Sequence, residues 1–151
     1  STWRAVAVTG SVAAAGVHAA VFPHHLDESY AVGAFFLAMT LAQAAWACLV
    51  VLEATDERLV AGIAGNLALL VLWGVSRTAG LPFGLGREGV GGLDLAAGAW
   101  ELSVVAACLV GLRHPTPERS LVLGDPGRTA WAWALASGTA LIVLTLTVTH
   151  A

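Results

Sequence analysis

Asp94 and Glu101 stand seven residues apart in an otherwise apolar run, LDLAAGAWELSVVAACLVGL at 93–112. A helix turns once every 3.6 residues, so the two carboxylates fall on nearly one face. A carboxylate near the middle of a bilayer costs on the order of 2.5–3.5 kcal/mol on insertion scales, so it needs a partner or a purpose. Other chemistry-bearing groups recur in similar apolar surroundings: imidazoles at His18, His24 and His25, a guanidinium at Arg77, and amides at Gln43 and Asn66. Trp73 lies one turn before Arg77 on the same helical face. Two or three imidazoles with one or two carboxylates would suit Zn, Cu, Fe or Mn. The candidate metal ligands are therefore His18, His24 or His25, Asp94 and Glu101, with Trp73, Arg77, Gln43 and Asn66 as further pocket residues.

Several other chemistries compete for the same residues. Arg77 could pair with Asp94 or Glu101 while His18 bonds within the bundle, since intramembrane ionisable groups usually pair with one another. Haem b held by His18 and His150 is a weaker fit, because His150 is the penultimate residue, where chains fray. A proton path through Glu101, Gln43 and Asn66 lacks ionisable groups in the opposite half of the spans. For an enzyme, no residue pair has the placement of a nucleophile and its base. Ser103 follows Glu101 by two positions, which do not face each other on a helix. Cys48 and Cys108 sit in apolar runs at similar depth, where thiols are usually inert. The GxGxxG match at 84–89 has no strand before it and reads as a loop that could fold over a pocket.

These residues are carried by a chain of 151 residues that is 58% hydrophobic and only 11% charged. A soluble domain carries about 25% charged residues, so this composition cannot cover a water-facing surface. The net charge of −3 offers no basic field for nucleic acid. Crossing a hydrocarbon core takes about 20 apolar residues. Five stretches qualify: 5–22, 30–54, 59–80, 93–112 and 129–149. Lipid forces each to satisfy its own backbone hydrogen bonds, which makes each helical. The expected fold is an all-α bundle of five transmembrane helices forming a single domain. The first stretch is taken as a retained span rather than a secretory signal.

Arginines set the orientation. All seven basic residues are Arg, and Arg4, Arg58, Arg113, Arg119 and Arg128 fall on one side of the five spans, against Arg77 and Arg87 on the other. The N-terminus is then cytoplasmic, and most polar residues gather in the outer half of the bundle. On span 1, Arg4, Ser11, His18 and His25 recur every seven residues. Pro23 is expected to break that helix before His25, leaving 24–28 as a solvated loop. Ala61 with Gly65, and Ala132 with Ala136 and Ala140, make small-residue rows suited to close helix packing.

The run of His18 and His25, Gly33-Ala34-Phe35-Phe36, Gln43, Asn66, Trp73, Arg77-Thr78-Ala79-Gly80-Leu81-Pro82, Asp94 and Glu101 resembles small multipass membrane proteins of actinobacteria. The resemblance covers about the first four spans and implies a bacterial plasma membrane, with no activity attached. The expected function is a small membrane binding protein with an outward-facing polar pocket that holds a metal ion. The alternatives are a structural or partner subunit locked by ion pairs, and a pocket for haem, quinone or lipid. The expected partners are the bilayer itself and a second copy or a membrane-complex subunit.

Overall fold

The computed structural model describes residues 1–80, 87 and 89–114. These form four helices: α1 (Thr2–Glu28), α2 (Tyr30–Leu52), α3 (Asp56–Thr78) and α4 (Gly92–Arg113). Each is long and apolar enough to cross a membrane. The shortest has 22 residues, which at about 1.5 Å per residue spans the roughly 30 Å hydrocarbon core. The fifth apolar stretch, 129–149, lies outside the described residues, as do His150 and most of the loop after Gly80.

Short connections dictate the arrangement. Only Ser29 separates α1 from α2, and Glu53–Thr55 separate α2 from α3, so successive helices run antiparallel. α1 packs along both α2 and α4, α3 packs along α4, and α2 meets α3 only briefly. α1 and α3 therefore face each other across the diagonal.

The helix ends follow their local chemistry. At the start of α3 the Thr55 hydroxyl accepts the Arg58 N–H at 3.4 Å, and Asp56 and Glu57 occupy the first turn. Both features suit the positive end of the helix dipole. At its other end Gly80 takes φ 80°, which lets the N–H groups of Ala79 and Gly80 both reach the Val75 carbonyl. The span expected to begin at 59 thus starts three residues earlier, because the Asp56-Glu57-Arg58 triplet is a helix start and not a loop.

α1 departs further from expectation. It runs unbroken through Pro23 to Glu28, so 24–28 form its last turn rather than a loop. Proline at this position forfeits one hydrogen bond to the carbonyl four residues back, a loss that apolar helices tolerate near their ends. The consequence is that His25 stays in register with His18.

One end of the bundle is solidly packed. Ala7, Leu59, Val104, Ala107 and Cys108 form a buried cluster flanked by Trp3, Trp46, Ile63 and Leu112. Glycines meet aromatic rings there: Gly111 faces the Trp3 ring, and Gly62 sits so close to the Trp46 ring that a β-carbon would collide with it. The expected row of Ala61 and Gly65 does not make a helix contact among the described residues. Ala61 is exposed, and Gly65 has open space beside it. Arg4 donates to the Val50 and Val51 carbonyls, and Arg58 to those of Leu49 and Glu53, satisfying the end of α2. The Trp46 indole donates to the Arg58 carbonyl at 2.8 Å.

Candidate functional site

The opposite end of the bundle is hollow. A cavity of about 240 Å³ is lined by all four helices. Its walls are mostly aliphatic and aromatic, with Val17, Phe35, Leu69 and Leu72 among them. Of the residues singled out by chemistry, His18, His25, Trp73, Arg77, Asp94 and Glu101 all line it. They come from α1, α3 and α4 and stand in two tiers about two turns apart, His18 with Glu101 deeper and Arg77 with Asp94 nearer the helix ends.

Each polar group has a distinct setting. His18 Nε2 lies 3.3 Å from Glu101 Oε1, with Glu101 only 3% exposed. That is within ion-pair reach, but the ring N–H is not aligned for a hydrogen bond, and Nε2 has no hydrogen-bond partner. Nearer the helix ends, Arg77 Nη2 meets Asp94 Oδ1 at 2.8 Å. The other oxygen of Asp94 accepts the Gly91 N–H at 2.8 Å, so this carboxylate also caps α4. Asp94, not Glu101, is thus the carboxylate paired with Arg77.

The imidazoles are held by α2 as well. The His25 ring stacks on Phe36 with centroids 4.5 Å apart and planes 9° off parallel. Phe36 also lies 5.7 Å from the tilted His18 ring. It therefore sits between two imidazoles one heptad apart on α1. His25 Nδ1 is 3.0 Å from Glu28 Oε2, and the exposed His24 reaches the same carboxylate at 3.4 Å. His24 does not line the cavity.

Gln43 and Asn66 occupy a separate layer beneath the cavity. The Gln43 amide donates to Asn66 Oδ1 at 3.5 Å, and Asn66 donates to the Gly62 carbonyl at 2.8 Å. Ser11 joins them by donating to the Gln43 carbonyl at 2.9 Å. These three residues tie α1, α2 and α3 together in mid-bundle, and they line no part of the pocket.

The five candidate metal ligands therefore do not converge on one point. Among the described residues no three His, Cys, Asp or Glu side chains gather as a metal's donors. The physical reason is division: His18 turns to Glu101, Asp94 to Arg77 and Gly91, and His24 and His25 to Glu28. The two cysteines also part company, Cys108 buried in the packed end and Cys48 exposed.

Phe36 and Ser76 line the pocket without having been singled out by chemistry. A signal for Phe36 existed in the hairpin itself. With a single residue between antiparallel helices, the start of α2 must lie against the last turns of α1, where His18 and His25 project.

The cavity is concave and mainly apolar, with a few polar groups at fixed places on its wall. Comparison with protein-family models, curated proteins and solved structures finds no match to this chain.

Proposed function

We propose that this chain is a small integral membrane protein that binds a compact, largely apolar molecule in the cavity between its helices. One observation carries this reading: all four helices line a cavity of about 240 Å³ in which a few polar residues stand among mostly apolar walls. An interior made for stability alone would close such a space, because an unfilled void forfeits packing contacts. A porphyrin is far larger than this volume, which favours a smaller ligand over haem. A metal would have to recruit donors beyond His18 and Glu101.

The reading extends to the membrane. The arginine distribution favours an N-terminus inside and the cavity in the outer half. The apolar length of 129–149 favours a fifth span, and the resemblance to actinobacterial membrane proteins favours a bacterial plasma membrane. Arg4, Arg58 and Arg113 lie at the packed end and Arg77 at the hollow one, in keeping with that orientation.

The test is to fill the cavity. Purified in mild detergent, the protein is expected to carry a small lipophile at near one-to-one stoichiometry, identified by organic extraction and mass spectrometry. Ala97→Phe, which places a ring against the cavity wall, should abolish it while circular dichroism stays helical. An unoccupied protein that takes up no lipophile on addition would overturn the reading. Stoichiometric metal in elemental analysis, removable by chelation, would replace it with the metal alternative.

A second reading has its own observation. The His18–Glu101 and Arg77–Asp94 pairs tie α1 and α3 to α4, as expected of a subunit whose polar groups only lock helices. Glu101→Gln separates the two: a collapse of thermal stability without change in bound lipophile supports the lock.

A further inference from the structure

α2 and α3 are joined by the short turn Glu53–Thr55, yet they separate soon after it. Near the turn the Trp46 indole donates to the Arg58 carbonyl, and further out the Gln43 amide reaches Asn66 at 3.5 Å. Beyond that layer the cavity lies between the two helices, and both line it. α1 packs along α2 and α4, and α4 along α1 and α3, whereas α2 and α3 meet only briefly. Among the described residues, the seam between α2 and α3 is therefore the open side of the bundle.

Both lips of this seam carry small residues. On α2, Ala38, Ala42 and Ala45 are exposed, and Ala42 lies one turn before Trp46. On α3, Ala61, Gly65 and Ala68 are exposed, and Gly65 lies one turn after Gly62, the residue that touches the Trp46 ring. A β-carbon on Gly65 would meet nothing within 4 Å. The Trp46–Gly62 and Gln43–Asn66 contacts fix the relative depth of the helices, and by that measure the two rows lie within a turn of each other. Small residues at such a seam let a further helix approach closely.

The chain beyond α4 has the length and the starting point to supply that helix. α4 ends at Arg113, at the packed end of the bundle, where the turn between α2 and α3 also lies. Residues 115–128 then give a linker that reaches up to about 46 Å when extended, against about 8–10 Å between the axes of packed helices. The apolar stretch 129–149 follows, and Ala132, Ala136 and Ala140 recur in it every fourth residue. We propose that 129–149 lies in the seam between α2 and α3, with this alanine row against Ala42 and Gly65. Entering at the packed end, it runs in the direction of α3. Its alanines then come 3 to 11 residues after its start, and Ala61 to Ala68 come 5 to 12 residues after the start of α3. The proposal rests on 129–149 being a span and is independent of what the cavity holds.

The experiment is cysteine cross-linking of the full chain in native membranes, with Cys48→Ala removing the exposed thiol. Gly65→Cys with Ala136→Cys is the seam pair. Ala99→Cys with Ala136→Cys, on the exposed face of α4, is the control. After mild oxidation, alkylation in denaturant and intact-mass measurement count the thiols lost to disulfides. The seam pair is expected to cross-link within one chain in about tenfold greater yield than the control, since a disulfide needs Cα atoms within about 7 Å. Equal yields, or none from the seam pair, would overturn the docking site. Dimers cross-linked through Gly65→Cys alone would overturn it in favour of a second copy. Modification of Ala136→Cys by a membrane-impermeant maleimide, in membranes open on both sides, would overturn the fifth span itself. Gly65→Leu reads the same seam without cysteines. Against a packed helix it should lower the melting temperature by about 3 °C or more. Against lipid alone it would leave that temperature unchanged or raise it, because glycine disfavours a helix interior, and that result would overturn the docking.

Discussion

At the end of the bundle that carries Arg4, Arg58 and Arg113, two glycines are matched by large rings: Gly111 by Trp3, and Gly62 by Trp46. At the other end, Ala31, Ala97 and Gly98 lie on the wall of a cavity, and Gly98 has only the tip of Leu70 within van der Waals reach. The residue types are alike, and the difference lies in what stands opposite. Polar groups divide in the same way. In the packed end the Arg4 and Arg58 guanidiniums and the Trp46 indole donate to backbone carbonyls at helix ends. In the hollow end His18 and Arg77 meet carboxylate side chains from α4. Groups that satisfy helix termini hold a fold together, whereas side-chain pairs around a void can be rearranged by a ligand. The comparison teaches that close packing and open space fall at different ends of the same four helices.

The sharpest way to break that division is to enlarge one glycine at each end. Gly62→Leu forces side-chain atoms into the Trp46 ring, a rigid group that is itself hydrogen-bonded to the Arg58 carbonyl. Overpacking of this kind costs about 3 kcal/mol or more, so the protein is expected to lose most of its folded fraction in detergent. Gly98→Leu has room, since a β-carbon there lies 3.7 Å from Leu70. It should change stability by no more than about 1 kcal/mol and weaken lipophile binding at least tenfold. Denaturation monitored by tryptophan fluorescence reads both. Equal losses of stability would mean that the two ends are packed alike.

A milder version removes side chains instead. Leu59 is 2% exposed inside the packed cluster. Leu59→Ala should cost about 2–4 kcal/mol, chiefly through the cavity it leaves, because lipid supplies no hydrophobic drive between helices. Leu72 already borders the void, so Leu72→Ala adds to an existing space and should cost less than about 1 kcal/mol. A Leu72→Ala penalty as large as that of Leu59→Ala would show the hollow end to be tightly packed after all.

How far this division could be read from sequence varies with the residue. The spacing of Arg4, Ser11, His18 and His25 correctly marks one face of α1: the first reaches the end of α2, the second the Gln43 carbonyl, and the last two the cavity. That Arg77 and Asp94 lie at the same end of the bundle, with Glu101 deeper, followed from counting turns in antiparallel spans. Pro23 misled because a missing N–H weighs less in an apolar helix near its end than in a water-exposed one. Among the described residues, Gly62 shares the stripe of Asn66 and Trp73 that meets the other helices, whereas Ala61 and Gly65 do not. The choice of partners was not readable at all. Whether Arg77 takes Asp94 or Glu101 depends on differences of a turn in helix stagger, and seven-residue spacing makes the two carboxylates equivalent.

The smallest contrast concerns the two helix starts. Thr55 caps α3 at the packed end through its 3.4 Å contact with the Arg58 N–H, and its hydroxyl also meets the neighbouring Glu57 carboxylate. Asp94 caps α4 at the hollow end and holds Arg77 at the same time. Thr55→Ala should therefore cost about 0.5–1 kcal/mol and leave binding in the cavity unchanged. Asp94→Ala removes a cap of similar size, but it also removes the Arg77–Asp94 pair beside the cavity. The pair itself is partly exposed and worth at most about 1 kcal/mol, so the stability loss should exceed that of Thr55→Ala only slightly. Binding is where the two part. Losing a carboxylate from the cavity wall changes the charge that faces the ligand, so Asp94→Ala should shift lipophile affinity severalfold in titrations where Thr55→Ala does not. If both variants shift affinity alike, the ends are mechanically coupled along α3 and α4, and the hollow end cannot be treated as a site set apart from the packed one.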